Sequence, residues 1–221
     1  MCFSTAASFS AGILLSGAAM VAARKVEKPS QRAFAAIPGI FAIQQFTEGF
    51  VWLSLTNESF SGLYPSSALG FLFFAEVLWP MWIPFAMLFM EKDRARRKIF
   101  FGLLGVGVAL SVYTLYNLFA YPLSAQIMEH HIQYRLGITG KVLPLQVIAY
   151  GIVAVGPAFV SSVPRMGVLG MLIALSFLVT KVFFPNYIIS VWCFFAAILS
   201  IIVVYVLEHQ REKSRSESIR I

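Results

Sequence analysis

Residues able to do chemistry fall into two groups in this chain. The first lies in FAIQQFTEGFVWLSL, residues 41–55, where Gln44, Gln45 and Glu48 share roughly one helix face and Trp52 follows one turn later. A bare carboxylate in hydrocarbon costs several kcal/mol, so Glu48 is expected to face protein or water. The second group is Glu129-His130-His131-Ile132-Gln133-Tyr134-Arg135, the densest titratable cluster, which holds two of the three histidines. With the thiol of Cys2 and the carboxylate of Glu48, the imidazoles of His130 and His131 are ligand types for zinc, copper or iron. Neighbouring positions on a helix diverge by about 100°, so both imidazoles reach one ion only from a turn or loop. The spacing matches no metal motif, and the candidate set rests on co-location.

The elements that must position these residues are membrane helices. The chain has 221 residues, is 59% hydrophobic and only 12% charged, and its mean hydropathy is +0.79, too apolar for an ordinary water-soluble domain. A crossing needs about 20 mostly apolar residues. Seven such stretches are predicted, at residues 4–23, 33–55, 66–90, 99–121, 143–162, 166–184 and 187–207. The fold class expected is all-α and polytopic: a seven-helix domain over residues 1–207 and a charged, Ser-rich, disordered tail over 208–221. The first apolar run lacks a basic leader and is followed by positive charge, so it is expected to be a retained span.

The net charge of +7 belongs to topology. With the first end outside, the inner loops and tail hold fourteen of the seventeen Lys and Arg, leaving Arg135, Lys141 and Lys181 for the outer half. The positive-inside rule therefore predicts an N-terminus outside and a C-terminus inside, in an inner (plasma) membrane. The partner this implies is a lipid bilayer, not nucleic acid. Two cysteines, Cys2 and Cys193, make no disulfide framework.

Once topology is assigned, the polar residues of different helices compare by depth. Glu48 lies roughly 10 Å below the outer end of its helix and Glu76 roughly 15 Å deep, at 1.5 Å per residue. Trp79-Pro80 and Pro84 follow Glu76, so a kink with freed carbonyls is expected there. Gln44, Gln45, Glu48, Trp52, Glu76, Trp79, Tyr113, Asn117, Tyr134, Gln146 and Lys181 form the expected pocket, open to the outside and closed below by apolar packing. Structural roles compete with this reading. Glu48 and Glu76 can serve as glue between helices, Glu76 by pairing with Lys181, while Lys181 can instead snorkel to the interface.

The opening Met1-Cys2-Phe3-Ser4, followed by Ala7-Ser8-Phe9, resembles an uncharacterised family of bacterial and archaeal multi-pass membrane proteins that begin MCxS. Glu48-Gly49 with Val51-Trp52-Leu53, Leu78-Trp79-Pro80, and His131-Ile132 with Tyr134 are further matches, although Thr5-Ala6 stands where the pattern has Ala-Thr. The resemblance implies a multi-pass topology, points to Cys2, Glu48, Trp79, His131 and Tyr134, and implies no activity. The function expected is an outward-facing pocket that binds a small ligand or a transition metal. In the metal version Cys2, Glu48 and His131 are the ligands, His130 is a substitute, and Glu76, Gln45 and Tyr134 orient them. One alternative is a metal-dependent hydrolase resembling in outline the alkaline ceramidase and adiponectin-receptor group, although the H-x-x-x-H pair of such a site is missing. Another is a proton-coupled transporter or sensor without metal. Whether the chain is an enzyme stays open among these.

Overall fold

The computed structural model describes residues 4–128, 130–137 and 144–219. Helix α1 (Thr5–Arg24) begins where the Ser4 hydroxyl accepts from the Ala7 amide at 3.2 Å, a side-chain cap for an otherwise orphan donor. It packs along α3 (Ile37–Thr56), which a proline-led 3-10 turn (Pro29–Gln31) and the short α2 (Arg32–Ala35) precede. Gly12 makes this approach possible, since a Cβ there would lie 2.8 Å from the Phe46 ring.

After a 3-10 turn (Glu58–Leu63), α4 (Tyr64–Leu72) and α5 (Trp79–Met90) form one long rod interrupted by a π-helical turn, Phe73–Leu78. The cause is local. The Trp79 amide reaches back to the Phe74 carbonyl, so in that register the donor for Ala75 would be residue 80, a proline with no N–H. The Tyr150 hydroxyl donates to the Ala75 carbonyl instead, and the Ser111 hydroxyl donates to Val77 O at 2.5 Å. Pro84 likewise leaves Pro80 O without its helical donor. That carbonyl presses on α6 (Arg94–Ala120) at Gly107, where an added Cβ would sit 2.1 Å from it.

Beyond α6 the all-α expectation gives way to a two-stranded antiparallel hairpin, β1 (Leu123–Met128) with β2 (His131–Leu136). Its register pairs Leu123 with Leu136, Ala125 with Tyr134 and Ile127 with Ile132, so period-two alternation puts these apolar residues on one face. Ala125 and Ile132 are buried with Val51, Phe71 and Leu118, and the Tyr64 hydroxyl accepts from the Ala125 amide at 2.5 Å. Helices α7 (Pro144–Val160), α8 (Met166–Phe183), α9 (Ile188–Leu199) and α10 (Ile202–Ile219) complete the bundle.

The described residues are mostly helical, and five stretches among them are long and apolar enough to cross a membrane: Thr5–Arg24, Glu58–Met90, Arg94–Ala120, Met166–Phe183 and Ile188–Glu212. The other two predicted spans correspond to α3, whose mean hydropathy Gln44, Gln45 and Glu48 depress, and to α7 with 17 residues. Large apolar side chains, among them Leu14, Val112, Phe119, Leu145 and Phe183, face outward and are exposed.

The segment after Leu207, expected as a disordered tail, continues α10 through Ile219. Its first turns are held by the loop after α1: Lys25 pairs with Glu208, Gln31 Nε2 donates to Gln210 Oε1 at 2.8 Å, and Arg211 lies 3.6 Å from Glu27. At this same end Glu91 is 2% exposed and gathers the loops after α5 and α7. Its carboxylate accepts from the Lys92 and Asp93 amides at 2.9 Å each, from the Ser162 amide at 2.8 Å and from the Ser162 hydroxyl at 2.6 Å.

Two outcomes follow for stability, both read as thermal unfolding in detergent. Gly107→Ala forces a methyl group into a backbone carbonyl and is expected to cost about 3 kcal/mol, the upper range of overpacking. Gly105→Ala, with open space around it, is expected to be near neutral. Burial alone would raise the Glu91 carboxyl, but hydrogen bonds from Ser162, Asp93 and Lys92 outweigh it and hold the group below its ordinary value. A depressed folded value gives stability that is present above the unfolded glutamate range and lost as pH falls through the folded value. The melting temperature should therefore drop on acidification, and Glu91→Gln should melt lower near neutrality with a flatter acid slope.

Candidate functional site

The polar face of α3 is spent inside the protein. Gln44 and Gln45 are 0% and Glu48 1% exposed. Trp79 Nε1 donates to Gln44 Oε1 at 2.6 Å while its ring stacks on Phe41 at 4.0 Å. Gln45 Nε2 donates to Glu48 Oε2 at 3.3 Å, and the Ser190 hydroxyl donates to Glu48 Oε1. Both carboxylate oxygens are thereby engaged, one by the same helix and one by α9. Trp52 lies beside this seam in an apolar cluster.

The open volume is elsewhere. A cavity of about 600 Å³ lies between the π-helical turn, α6, α7, the start of α9 and the hairpin. Glu76, Asn117, Tyr134 and Gln146 line it, as does Thr114. Tyr113, Arg135 and Asn186 line it and are exposed, which puts them at its rim. Tyr150, Trp192 and Cys193 form its floor. They also border a second, apolar void of about 60 Å³ between Phe34, Met87 and Leu169. Tyr150 and Phe177 meet the Trp192 ring edge-on at 5.7 and 4.9 Å, an arrangement favourable to aromatic quadrupoles.

Of the residues predicted for a pocket, the structure brings Glu76, Tyr113, Asn117, Tyr134 and Gln146 to one cavity. Gln44, Gln45, Glu48, Trp52 and Trp79 are buried outside its wall, and Lys181 is exposed on α8. Thr114 was overlooked, although it lies three residues before Asn117 on the same face of α6. For the proposed metal set, His130 is exposed in the hairpin turn. His131 stacks on Tyr187 at 4.6 Å and meets the Phe184 edge at 5.1 Å. Cys2 lies outside the described residues. Among the described residues no three His, Cys, Asp or Glu side chains gather where they could hold one ion.

Residues 1–218 match a family described as a family of unknown function, DUF6629. The chain belongs to this family. No curated protein and no solved structure matches it. What this DUF6629 chain can do chemically is therefore read from the cavity itself. Glu76 makes no side-chain hydrogen bond or ion pair with a described residue, and the same holds for Thr114, Asn117 and Gln146. Thr114 and Asn117 are each only 5% exposed. Glu76 and Gln146 are half-buried, and all four side chains face one volume. The arrangement is a preformed chamber with an acid, two amides and a hydroxyl free to engage a guest.

The floor depends on the Tyr150 hydroxyl meeting Ala75 O. Tyr150→Phe leaves that carbonyl without its donor and is expected to lower stability by about 1–3 kcal/mol, measured as thermal unfolding in detergent. Tyr113→Phe, at the exposed rim, is expected to leave it unchanged.

Proposed function

We propose that the protein crosses the membrane seven times, with the start of the chain and the hairpin on the outer side, and that the hairpin-end cavity binds a small ligand. The single observation carrying this reading is the chamber in which Glu76, Thr114, Asn117 and Gln146 stand without side-chain hydrogen-bond partners among the described residues. Its volume lies within the range of small-molecule sites.

The use made of α3 and α7 supports this crossing number. The polar residues of α3 are buried, while Ile43 and Phe50 face outward, so the surface it shows to lipid is apolar. The 17 residues of α7 rise roughly 26 Å, close to the hydrocarbon thickness of about 30 Å, and Leu145, Ile148, Ile152 and Phe159 face outward along them. The basic loops with Arg24, Lys25, Arg94, Arg96 and Arg165 lie at the end away from the hairpin, supporting an inside placement for that end. Binding is favoured over conduction because the polar lining stops at Tyr150 and Trp192, and the void beneath is apolar.

Thiol accessibility tests both halves of the reading. In a Cys2→Ser, Cys193→Ala background, a membrane-impermeant methanethiosulfonate should label Gln146→Cys in intact cells, and Arg96→Cys only after permeabilisation. The reverse pattern overturns the orientation. A dialysable small-molecule extract of the source cells should slow labelling of Gln146→Cys and leave exposed Ser124→Cys unaffected. Equal rates with and without extract overturn the binding assignment.

A further inference from the structure

We propose that the cavity takes a small organic ammonium ion bearing an oxygen at its other end, with the Glu76 carboxylate as counter-charge. This rests on the cavity being a ligand site. Glu76 is placed there by the π-helical turn, which widens the backbone where Pro80 breaks the hydrogen-bond ladder. It has neither hydrogen bond nor ion pair to a described residue. An acid at membrane depth needs a compensating cation, a proton or water, and among the described residues the lining supplies one basic side chain, Arg135, whose exposure at the rim leaves it to solvent.

Three further features select an organic cation over an inorganic one. The volume of about 600 Å³ far exceeds a bare ion, and a hard cation would call for six or more closely placed oxygens. The walls carry the rings of Tyr113, Tyr134, Tyr150, Phe177, Tyr187 and Trp192, and aromatic faces attract alkylammonium groups. Thr114 and Asn117, one turn apart on α6, and Gln146 on α7 leave donors and acceptors free for an oxygen on the ligand. An anionic guest would meet the Glu76 carboxylate unscreened.

Three probes of nearly one shape separate charge from size: choline, its neutral isostere 3,3-dimethylbutan-1-ol, and the anion 3,3-dimethylbutanoate. Each is titrated by calorimetry into the full chain in lipid nanodiscs. Choline should bind at least tenfold more tightly than the alcohol, and the anion should not bind. Glu76→Gln should weaken choline at least tenfold while leaving the alcohol unchanged, and Glu76→Asp should recover part of the loss. The thermal unfolding of each variant shows that it is folded. Equal affinities for choline and the alcohol, or a Glu76→Gln variant that holds choline like the parent, overturn the charge assignment while leaving a ligand chamber in place. Failure of all three probes also overturns it, and protection of Gln146→Cys by the cell extract then decides whether the chamber itself stands.

Discussion

A buried helix has to satisfy each main-chain polar group from within the protein, and Pro80, with no N–H to give, makes that hardest in the middle of the third long rod. The π-helical turn is the consequence. It shifts the Trp79 amide onto Phe74 and strands Ala75 O, which α7 meets with the Tyr150 hydroxyl, while the Ser111 hydroxyl of α6 donates to Val77 O. Those two contacts fix where both helices stand against the rod, and Gly107 fixes how closely α6 approaches. Glu76 lies inside this turn, so the backbone defect and the acid are one feature. A straight helix would have needed neither the Tyr150 hydroxyl nor the gap that opens beside Glu76.

The helices were legible because length and hydropathy decide them, and the proline-linked irregularity after Glu76 was legible because proline has no N–H to give. The hairpin was not foreseen, although its signal was present: Leu123, Ala125 and Ile127, then Ile132, Tyr134 and Leu136, alternate at period two. The charged and imidazole side chains between them, His130, His131 and Arg135, mask that alternation. The helical course beyond Leu207 was illegible locally, since its charged composition favours solvent. Lys25, Glu27 and Gln31, distant in sequence, supply its partners.

Depth in the membrane can be read from sequence, but angle around the bundle axis cannot. Gln44, Gln45, Glu48, Glu76, Asn117 and Gln146 were therefore grouped as one pocket. The structure divides them into a packed seam and an open chamber. What separates them is α9. Ser190 turns toward Glu48, whereas Trp192 turns toward the cavity floor and Cys193, three residues after Ser190, borders both. A serine two residues before a tryptophan carries no signal of this division when the partner helix is unknown.

The division also separates polar residues engaged in helix packing from those that face open volume. Glu48 is the acid a sequence reader notices first, yet each of its oxygens has a donor, and Gln44 is tied to Trp79. Such groups specify how α3, α5 and α9 fit together. Although the seam too keeps unpaired atoms, Gln44 Nε2, Gln45 Oε1 and Trp52 Nε1, Glu76, Thr114, Asn117 and Gln146 make no comparable hydrogen bond with a described residue and face open volume instead. Their joint presence makes sense where something outside the chain, a guest or the water that precedes it, completes their hydrogen bonds. The proposed ligand site thus adjoins the turn that the backbone could not close by itself.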